Sequence, residues 1–234
     1  AQASALQAPL PLHARARQPL MAAVVWLHGL GDTGDGWRGA FNSLKKQVPA
    51  VKFVHPTAPE QPLTCDGGEE TTSWFDIVTW QPPVKPIGLS EPDQPKGLED
   101  AVKAVHGLFE KIEKEGVPSE KIVVGGFSQG GVVSIMAGLT YPKRIGGIVS
   151  ISGWATHRDS LSTMVTPPNR DLPVLFCSGT QDEVIDFPLS TASSEVLQSI
   201  LGDNLSFVQT HRDMHQPDPK EMSAALAFMA KCFE

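Results

Sequence analysis

Gly126-Phe127-Ser128-Gln129-Gly130 is the stretch of sequence that decides the fold. It fits the pattern G-x-S-x-G, in which a serine occupies a sharp turn between a strand and a helix. Glycines suit this turn because larger side chains would collide where the strand and the helix approach closely. Residues 121–124 predict the short buried strand before the turn, and residues 129–139 predict the buried helix after it. An ordinary tight turn in an α/β protein is the alternative interpretation.

Strands and helices alternate along the whole chain. Buried strands are predicted at residues 22–27, 51–54, 121–124, 145–151, 173–177 and 205–210, and helices at 36–48, 98–115, 129–139, 187–201 and 219–233. There is no internal repeat and no linker. The alternation therefore predicts a single doubly wound α/β domain over residues 21–234, with a mostly parallel sheet and helices on both faces.

Two segments fall outside this pattern. Residues 1–20 contain prolines and arginines but no continuous apolar core, so we expect a poorly ordered N-terminal extension and not a signal peptide. Residues 56–97 form a long, proline-rich stretch that reads as irregular and includes the aromatic run Ser73-Trp74-Phe75-Asp76-Ile77. Loops of this length in compact domains are usually functional, which predicts a lid or a pocket wall.

The composition excludes several classes of protein. The net charge is -7 over 234 residues and the basic residues form no run, so we expect no nucleic-acid partner. No apolar stretch approaches the ~18 residues of a transmembrane segment. The three cysteines, Cys65, Cys177 and Cys232, are too few and too scattered for a disulfide framework, and we expect a reducing, cytoplasmic location.

A serine hydroxyl needs a base to take its proton and an acid to orient that base. With this type of turn the order along the chain is Ser, then Asp or Glu, then His. Asp182 follows the predicted strand at 173–177, and the turn at Gly179-Thr180 would aim it inward. Its neighbours Glu183 and Asp186 are the alternative acids. The simpler interpretation of each of the three is a solvated loop residue.

The base is expected after the last strand. His215 follows the strand at 205–210 and precedes the last helix, whereas His211 lies at the strand's end, where its ring would pack or point sideways. The two histidines also have a spacing seen in metal sites, but only Asp213 is near them as a third ligand. We therefore favour His215 as the base and expect no metal.

An acyl-transfer site also needs donors for the oxyanion. One donor is the backbone N–H of the residue after the nucleophile, here Gln129, and the other comes from the loop after an earlier strand. His28-Gly29-Leu30-Gly31 is that loop, with Leu30 as the donor and His28 as a structural residue. The same glycines form a literal G-x-G-x-x-G, but the next strand ends in Phe53-Val54-His55-Pro56 without the acid that would hold a ribose. Nucleotide binding is therefore not favoured.

With these residues placed, the chain resembles the acyl-protein thioesterase (lysophospholipase-like carboxylesterase) family of α/β-hydrolases. The resemblance extends from about Val24 to Phe233. Five motifs carry it together, at residues 27–34 (LHGLGDTG), 56–59 (PTAP), 74–76 (WFD), 125–131 (GGFSQGG) and 179–182 (GTQD).

The resemblance implies an α/β-hydrolase fold and a catalytic triad of Ser128, Asp182 and His215. It implies Leu30 and Gln129 as oxyanion donors and no cofactor. It also implies that tryptophans line the acyl site, and the residues that we assign to substrate binding are Trp74, Trp154, Leu63 and Met214. The expected reaction is hydrolysis of S-palmitoyl cysteine on proteins, of lysophospholipids or of small esters.

The chain departs from the family pattern in two places. The segment His211-Arg212-Asp213-Met214-His215 is shorter and more polar than is usual before the catalytic histidine. The lid segment at 63–70, often apolar in the family, is acidic here, which makes short-chain esters more plausible substrates.

We expect a serine hydrolase that cleaves S-acyl groups from protein cysteines. The alternatives are a general short-chain carboxylesterase, a lysophospholipase, and a catalytically inactive module that binds acyl groups or proteins. The expected partners are acylated proteins or small ester substrates. The sequence leaves open a transient membrane contact and a homodimer.

Overall fold

The computed structural model describes residues 21–48, 50–79 and 87–234. The predicted N-terminal extension at residues 1–20 lies outside the described residues. The strands are β1 (Ala22–Leu27), β2 (Val51–Val54), β3 (Glu60–Pro62), β4 (Glu70–Thr72), β5 (Ile122–Phe127), β6 (Gly147–Ile151), β7 (Val174–Gly179) and β8 (Leu205–Thr210). The helices are α1 (Asn42–Gln47), α2 (Leu98–Lys114), α3 (Gln129–Thr140), α4 (Leu161–Met164), α5 (Phe187–Leu201) and α6 (Pro219–Cys232).

Six strands form one parallel sheet in the order β2-β1-β5-β6-β7-β8. Alternate residues of each central strand enter different cores, as period-two geometry requires. Ala23, Val25 and Leu27 of β1 pack with α2, α3 and α5 on one face, whereas Val24 and Trp26 pack with α1 and α6 on the other. The sheet is therefore covered on both faces, which explains why its strands are apolar throughout.

The strand order reverses beside β1. The chain runs from β1 outward to β2 and then returns to β5 on the other side of β1. The loops that follow β1 and β5 consequently part at the carboxyl edge of the sheet, where parallel α/β folds place their ligand sites. The loops after β7 and β8 reach the same edge, because all six strands are parallel.

The structure differs from the sequence-based expectation in three elements, one of which is the short helix α4 at Leu161–Met164, where no helix was predicted. The helix expected at 36–48 is a short 3-10 turn at Gly34–Trp37 followed by α1, since glycines at 36 and 39 weaken a continuous helix. The stretch expected to be irregular contains an antiparallel hairpin, in which β3 pairs with β4. None of the helices in the described part of the chain is long and apolar enough to cross a membrane.

Candidate active site

Ser128 lies on the turn between β5 and α3. Its backbone has φ 54° and ψ -122°, a conformation that non-glycine residues adopt only under constraint. The flanking glycines are required by packing: a Cβ on Gly126 would lie 2.3 Å from the carbonyl carbon of Gly130, and a Cβ on Gly130 would lie 2.2 Å from the carbonyl oxygen of Leu27. The predicted sharp turn is therefore present, and it places the serine at the carboxyl edge of the sheet.

Ser128, His215 and Asp182 are brought together from three loops. The Nε2 atom of His215 lies 3.0 Å from Ser128 Oγ, and its Nδ1 atom lies 2.9 and 3.0 Å from the two carboxylate oxygens of Asp182. Asp182 Oδ1 also accepts the N–H groups of Val184 and Ile185, at 2.9 and 3.1 Å. With Nδ1 donating its proton to Asp182, Nε2 is left to accept the proton of Ser128.

The Asp182 carboxyl group is held in its ionised form. Burial alone would raise its pKa, but the hydrogen bond and charge of His215 and the N–H groups of Ile185 and Val184 outweigh the desolvation and lower the pKa to about 2. Asp182 is therefore a carboxylate at neutral pH and can hold an imidazolium ion beside it.

The alternative acid and base residues lie elsewhere. His211 is exposed, with Nδ1 3.4 Å from Thr180 Oγ1, and Asp186 directly precedes α5. In the described part of the chain, no group of three or more His, Cys, Asp or Glu side chains is arranged to hold a metal ion.

The loop after β1 passes beside the serine. A Cβ on Gly29 would lie 3.4 Å from Ser128 Cβ, and Leu30 lines the cavity above it. The backbone N–H groups of Leu30 and Gln129 have no hydrogen-bond partner among the described residues. Two donors beside one nucleophile are the requirement of an oxyanion hole.

His28 holds this loop in place. Its Nε2 accepts the Ala58 N–H at 2.9 Å, so Nδ1 carries the proton and donates to the Gly29 carbonyl at 2.6 Å. Burial lowers the pKa of His28, in agreement with a neutral ring. The literal G-x-G-x-x-G motif leads into a 3-10 turn at Gly34–Trp37, whereas a dinucleotide site needs the N-terminus of a helix there.

A cavity of about 630 Å³ opens onto Ser128 and His215. One part of its wall is apolar and comprises Leu30, Trp37, Ile77, Ile87, Phe127 and Val184. The cavity is also lined by four acidic residues, Asp32, Asp66, Glu69 and Glu70, of which Asp32, Glu69 and Glu70 are exposed. The acidic segment predicted at 63–70 thus borders the cavity, and the arrangement suits a substrate with an apolar end and a polar end.

Comparison with known proteins agrees with this geometry. The family model described as phospholipase/carboxylesterase matches residues 13–233. The chain belongs to the phospholipase/carboxylesterase family. It is accordingly a hydrolase, a serine esterase, and the expected α/β-hydrolase fold is confirmed.

Relatives in this family include acyl-protein thioesterases. The chain is 34% identical to acyl-protein thioesterase 1 of Gibberella zeae over 215 residues, which cover 90% of each chain. It is similar in structure to SOBER1 of Arabidopsis thaliana (TM-score 0.83, 27% identity, 92% of this chain and 100% of that one). It is also similar to acyl-protein thioesterase 2 of Zea mays (TM-score 0.78, 26% identity, 94% and 97% of the two chains).

The four residues predicted to bind substrate are not among those that line this cavity. Trp74 donates its indole N–H to the His28 carbonyl at 2.8 Å, and Trp154 packs edge-on against Phe75 at 5.9 Å. Leu63 is fully buried. Met214 is 54% exposed and directly precedes His215 in the chain. Both tryptophans are buried, with exposed fractions of 6% for Trp74 and 1% for Trp154.

The side chain of Gln129 has a role that the sequence analysis did not identify. Its Oε1 accepts the Trp74 N–H at 3.0 Å, and its Nε2 donates to the Phe75 carbonyl at 2.7 Å. This fully buried amide ties the aromatic run to the start of α3. The signal in the sequence is a lone long polar side chain in an otherwise small and apolar helix.

Proposed function

We propose that this protein is a serine hydrolase that removes S-acyl groups, S-palmitoyl among them, from protein cysteines. The observation that carries the proposal is the hydrogen-bonded chain from Ser128 Oγ to His215 Nε2 and from His215 Nδ1 to Asp182. The names of the relatives, acyl-protein thioesterases 1 and 2, support the substrate class.

The first half of the reaction forms an acyl-enzyme. His215 takes the proton of Ser128 as the serine oxygen attacks the carbonyl carbon of the thioester. The negative charge that develops on the carbonyl oxygen is held by the N–H groups of Leu30 and Gln129, and the imidazolium is held by Asp182. The tetrahedral intermediate then collapses, the C–S bond breaks, and His215 gives its proton to the departing cysteine thiolate.

The second half restores the enzyme. His215 takes a proton from a water molecule as that water attacks the acyl carbon, and the same two N–H groups hold the oxyanion. The bond to Ser128 then breaks, and His215 returns the proton to the serine oxygen. The products are a free thiol and a carboxylic acid.

The acyl chain is expected against the apolar wall formed by Leu30, Ile77, Ile87 and Val184. Each methylene buried there contributes ~0.8 kcal/mol, so longer chains gain affinity until they pass beyond the wall. The carboxylates of Asp66, Glu69 and Glu70 in the cavity lining favour a second candidate, a general carboxylesterase for short esters, because a long fatty chain would have to lie against them. All three cysteines are free, which supports a reducing, cytoplasmic location.

The test compares p-nitrophenyl esters from acetate to palmitate with a palmitoyl-cysteine peptide. Wild type is expected to hydrolyse the peptide and the long esters, and S128A is expected to lose at least about 10³-fold in kcat while its circular dichroism stays unchanged. S199A, which changes an exposed serine on α5, is the matched control. Turnover limited to short esters would establish the carboxylesterase instead, and a folded wild type without turnover would point to an acyl-binding module.

A further inference from the structure

Arg212 lies buried behind the proposed triad, between two carboxylates. Its Nη1 donates to Asp182 Oδ2 at 2.7 Å and to the Met214 carbonyl at 2.9 Å. Its Nε donates to both oxygens of Glu221, at 3.2 and 3.1 Å. The side chain of Arg212 is 7% exposed, and those of Asp182 and Glu221 are fully buried.

Two further residues, Ser152 and Gly179, accommodate the Arg212 side chain. Its Nη2 donates to Ser152 Oγ, and Ser152 is a non-glycine residue held at φ 53° at the end of β6. Gly179 leaves the necessary space, because a Cβ there would lie 2.7 Å from Arg212 Cγ. A strained residue and an obligatory glycine around one guanidinium indicate a constrained position.

Glu221 is anchored independently of the arginine. One of its oxygens accepts the Thr210 hydroxyl at 2.8 Å, and the other accepts the Asp218 N–H at 2.9 Å in the capping box of α6. The guanidinium group is therefore bound to a carboxylate whose position is fixed by other groups. Its far end reaches the site, where a single nitrogen holds both Asp182 and the backbone directly before His215.

We infer that Arg212 is a positioning residue of the active site, which fixes the Asp182 carboxylate relative to the segment that carries His215, with Glu221 as its buried anchor. This inference rests on the proposed function of Ser128, His215 and Asp182. The alternative is that Arg212 only neutralises Glu221, because a buried carboxylate needs a counter-charge.

Removing both buried charges separates these roles. R212M/E221Q leaves no uncompensated carboxylate at position 221, so a purely neutralising arginine becomes dispensable. A positioning arginine remains necessary, because without it Asp182 loses the donor to its Oδ2 atom and can rotate away from His215. A misplacement of this kind costs up to ~100-fold in rate.

The pH profile gives a second readout. The titratable groups of the described residues around the guanidinium are Asp182, Glu221, Cys177 and, through Asp182, His215. Burial raises the pKa of the Cys177 thiol, which stays neutral. If Arg212 positions Asp182, its loss lets the carboxylate turn away, and the imidazolium loses the partner that stabilises it. The acidic limb of the kcat/KM profile should then move to lower pH, whereas a merely neutralising arginine would leave Asp182 in place with its charge no longer offset and would move the limb to higher pH.

The experiment measures kcat, KM and the pH profile with a short p-nitrophenyl ester. For R212M/E221Q we expect kcat to fall ~10- to 100-fold with KM within about twofold and the acidic limb of the pH profile displaced to lower pH. R212K keeps the charge but has one donor nitrogen instead of a fork, so its kcat should also fall. R144M, which breaks a surface pair with Asp171 at the opposite edge of the sheet, should match wild type.

A double variant with the kcat and pH profile of wild type would overturn the inference. If that variant does not fold, wild-type kcat in R212K would overturn it equally. A measurement independent of turnover is the low-field proton signal of His215 Nδ1–H, expected in wild type and R144M and lost in R212M/E221Q. If this proton signal persists in the double variant, the positioning role is refuted, whether or not wild type hydrolyses esters. If folded wild type hydrolyses no ester, the proposed function alone is refuted.

Discussion

Ser128 shows how the local sequence imposes a strained residue. Its φ of 54° costs on the order of 1–3 kcal/mol, and the surrounding structure must over-determine it. Gly126 and Gly130 make the close approach of β5 and α3 feasible, and the Ser128 N–H donates to the Ile151 carbonyl at 2.8 Å. The turn thereby directs the hydroxyl group out of the sheet toward His215.

Single residues were predictable where chain order carries the information. Asp182 and His215 follow strands in the order that the elbow requires, which is why the sequence favours them over Glu183 and His211, and the structure brings them within hydrogen-bond distance of each other. The sequence places Arg212 in a polar segment and does not indicate a role for it. Its partners lie 9, 30 and 60 positions away in the chain, and such pairings depend on how β6, β7, β8 and α6 pack.

The lowered pKa of Asp182 predicts a specific loss of stability in acid. A carboxylate with a depressed pKa stabilises the folded state above its unfolded value of ~3.9, and this contribution disappears as the pH falls toward 2. Between pH 4 and pH 2, wild type should lose ~2 kcal/mol more of its free energy of unfolding than D182N. Urea unfolding followed by tryptophan fluorescence measures the difference in slope. With exposed Asp203→Asn as control, parallel curves for wild type and D182N would contradict the ionised, buried Asp182.

At the scale of elements, the site depends on loops whose positions the sheet alone does not determine. The sequence predicted α2, α3, α5 and α6 to within a residue or two at their ends, α2 from the regular spacing of its apolar residues and α3 as a buried helix after the elbow. It did not predict the β3–β4 hairpin, whose strands have three residues each and little apolar character. Nor did it predict that Ile87 pairs with Ile185, which places the long loop against the Asp182 loop.

Gln129→Ala should loosen the aromatic run without removing the oxyanion donor, which is a backbone group. The Trp74 N–H and the Phe75 carbonyl would lose their partner in a buried environment, at a cost of about 2 kcal/mol or more. Urea unfolding and kcat for a short ester are the measurements. Gln198→Ala, which removes an exposed amide from α5, is the control. If Q129A were as stable as Q198A, the amide would not be the anchor of this loop.

At the scale of the whole molecule, one sheet connects the two cores. Trp26 and Val24 face α1 and α6, while their neighbours in β1 face α2, α3 and α5, so neither core persists without the strands it shares with the other. The alternation of strands and helices predicted this parallel, two-sided architecture. It could not predict the strand order or the cavity wall, because both depend on contacts between residues far apart in the chain.

We therefore expect the chain to unfold as one unit, in agreement with a single domain. Tryptophan fluorescence, to which the buried Trp26, Trp74 and Trp154 contribute, and far-ultraviolet circular dichroism should give the same urea midpoint. Two separated transitions would show that part of the chain folds independently, and the single-domain account would then be wrong.

The central claim is that Ser128 is a nucleophile activated by His215. A fluorophosphonate probe tests it directly, since it forms a covalent bond only with an activated serine and needs no knowledge of the natural substrate. Intact-mass and peptide analysis should find one adduct, on Ser128, in wild type and none in a folded His215→Gln variant. No adduct in folded wild type, or an adduct on a different serine, would contradict the account.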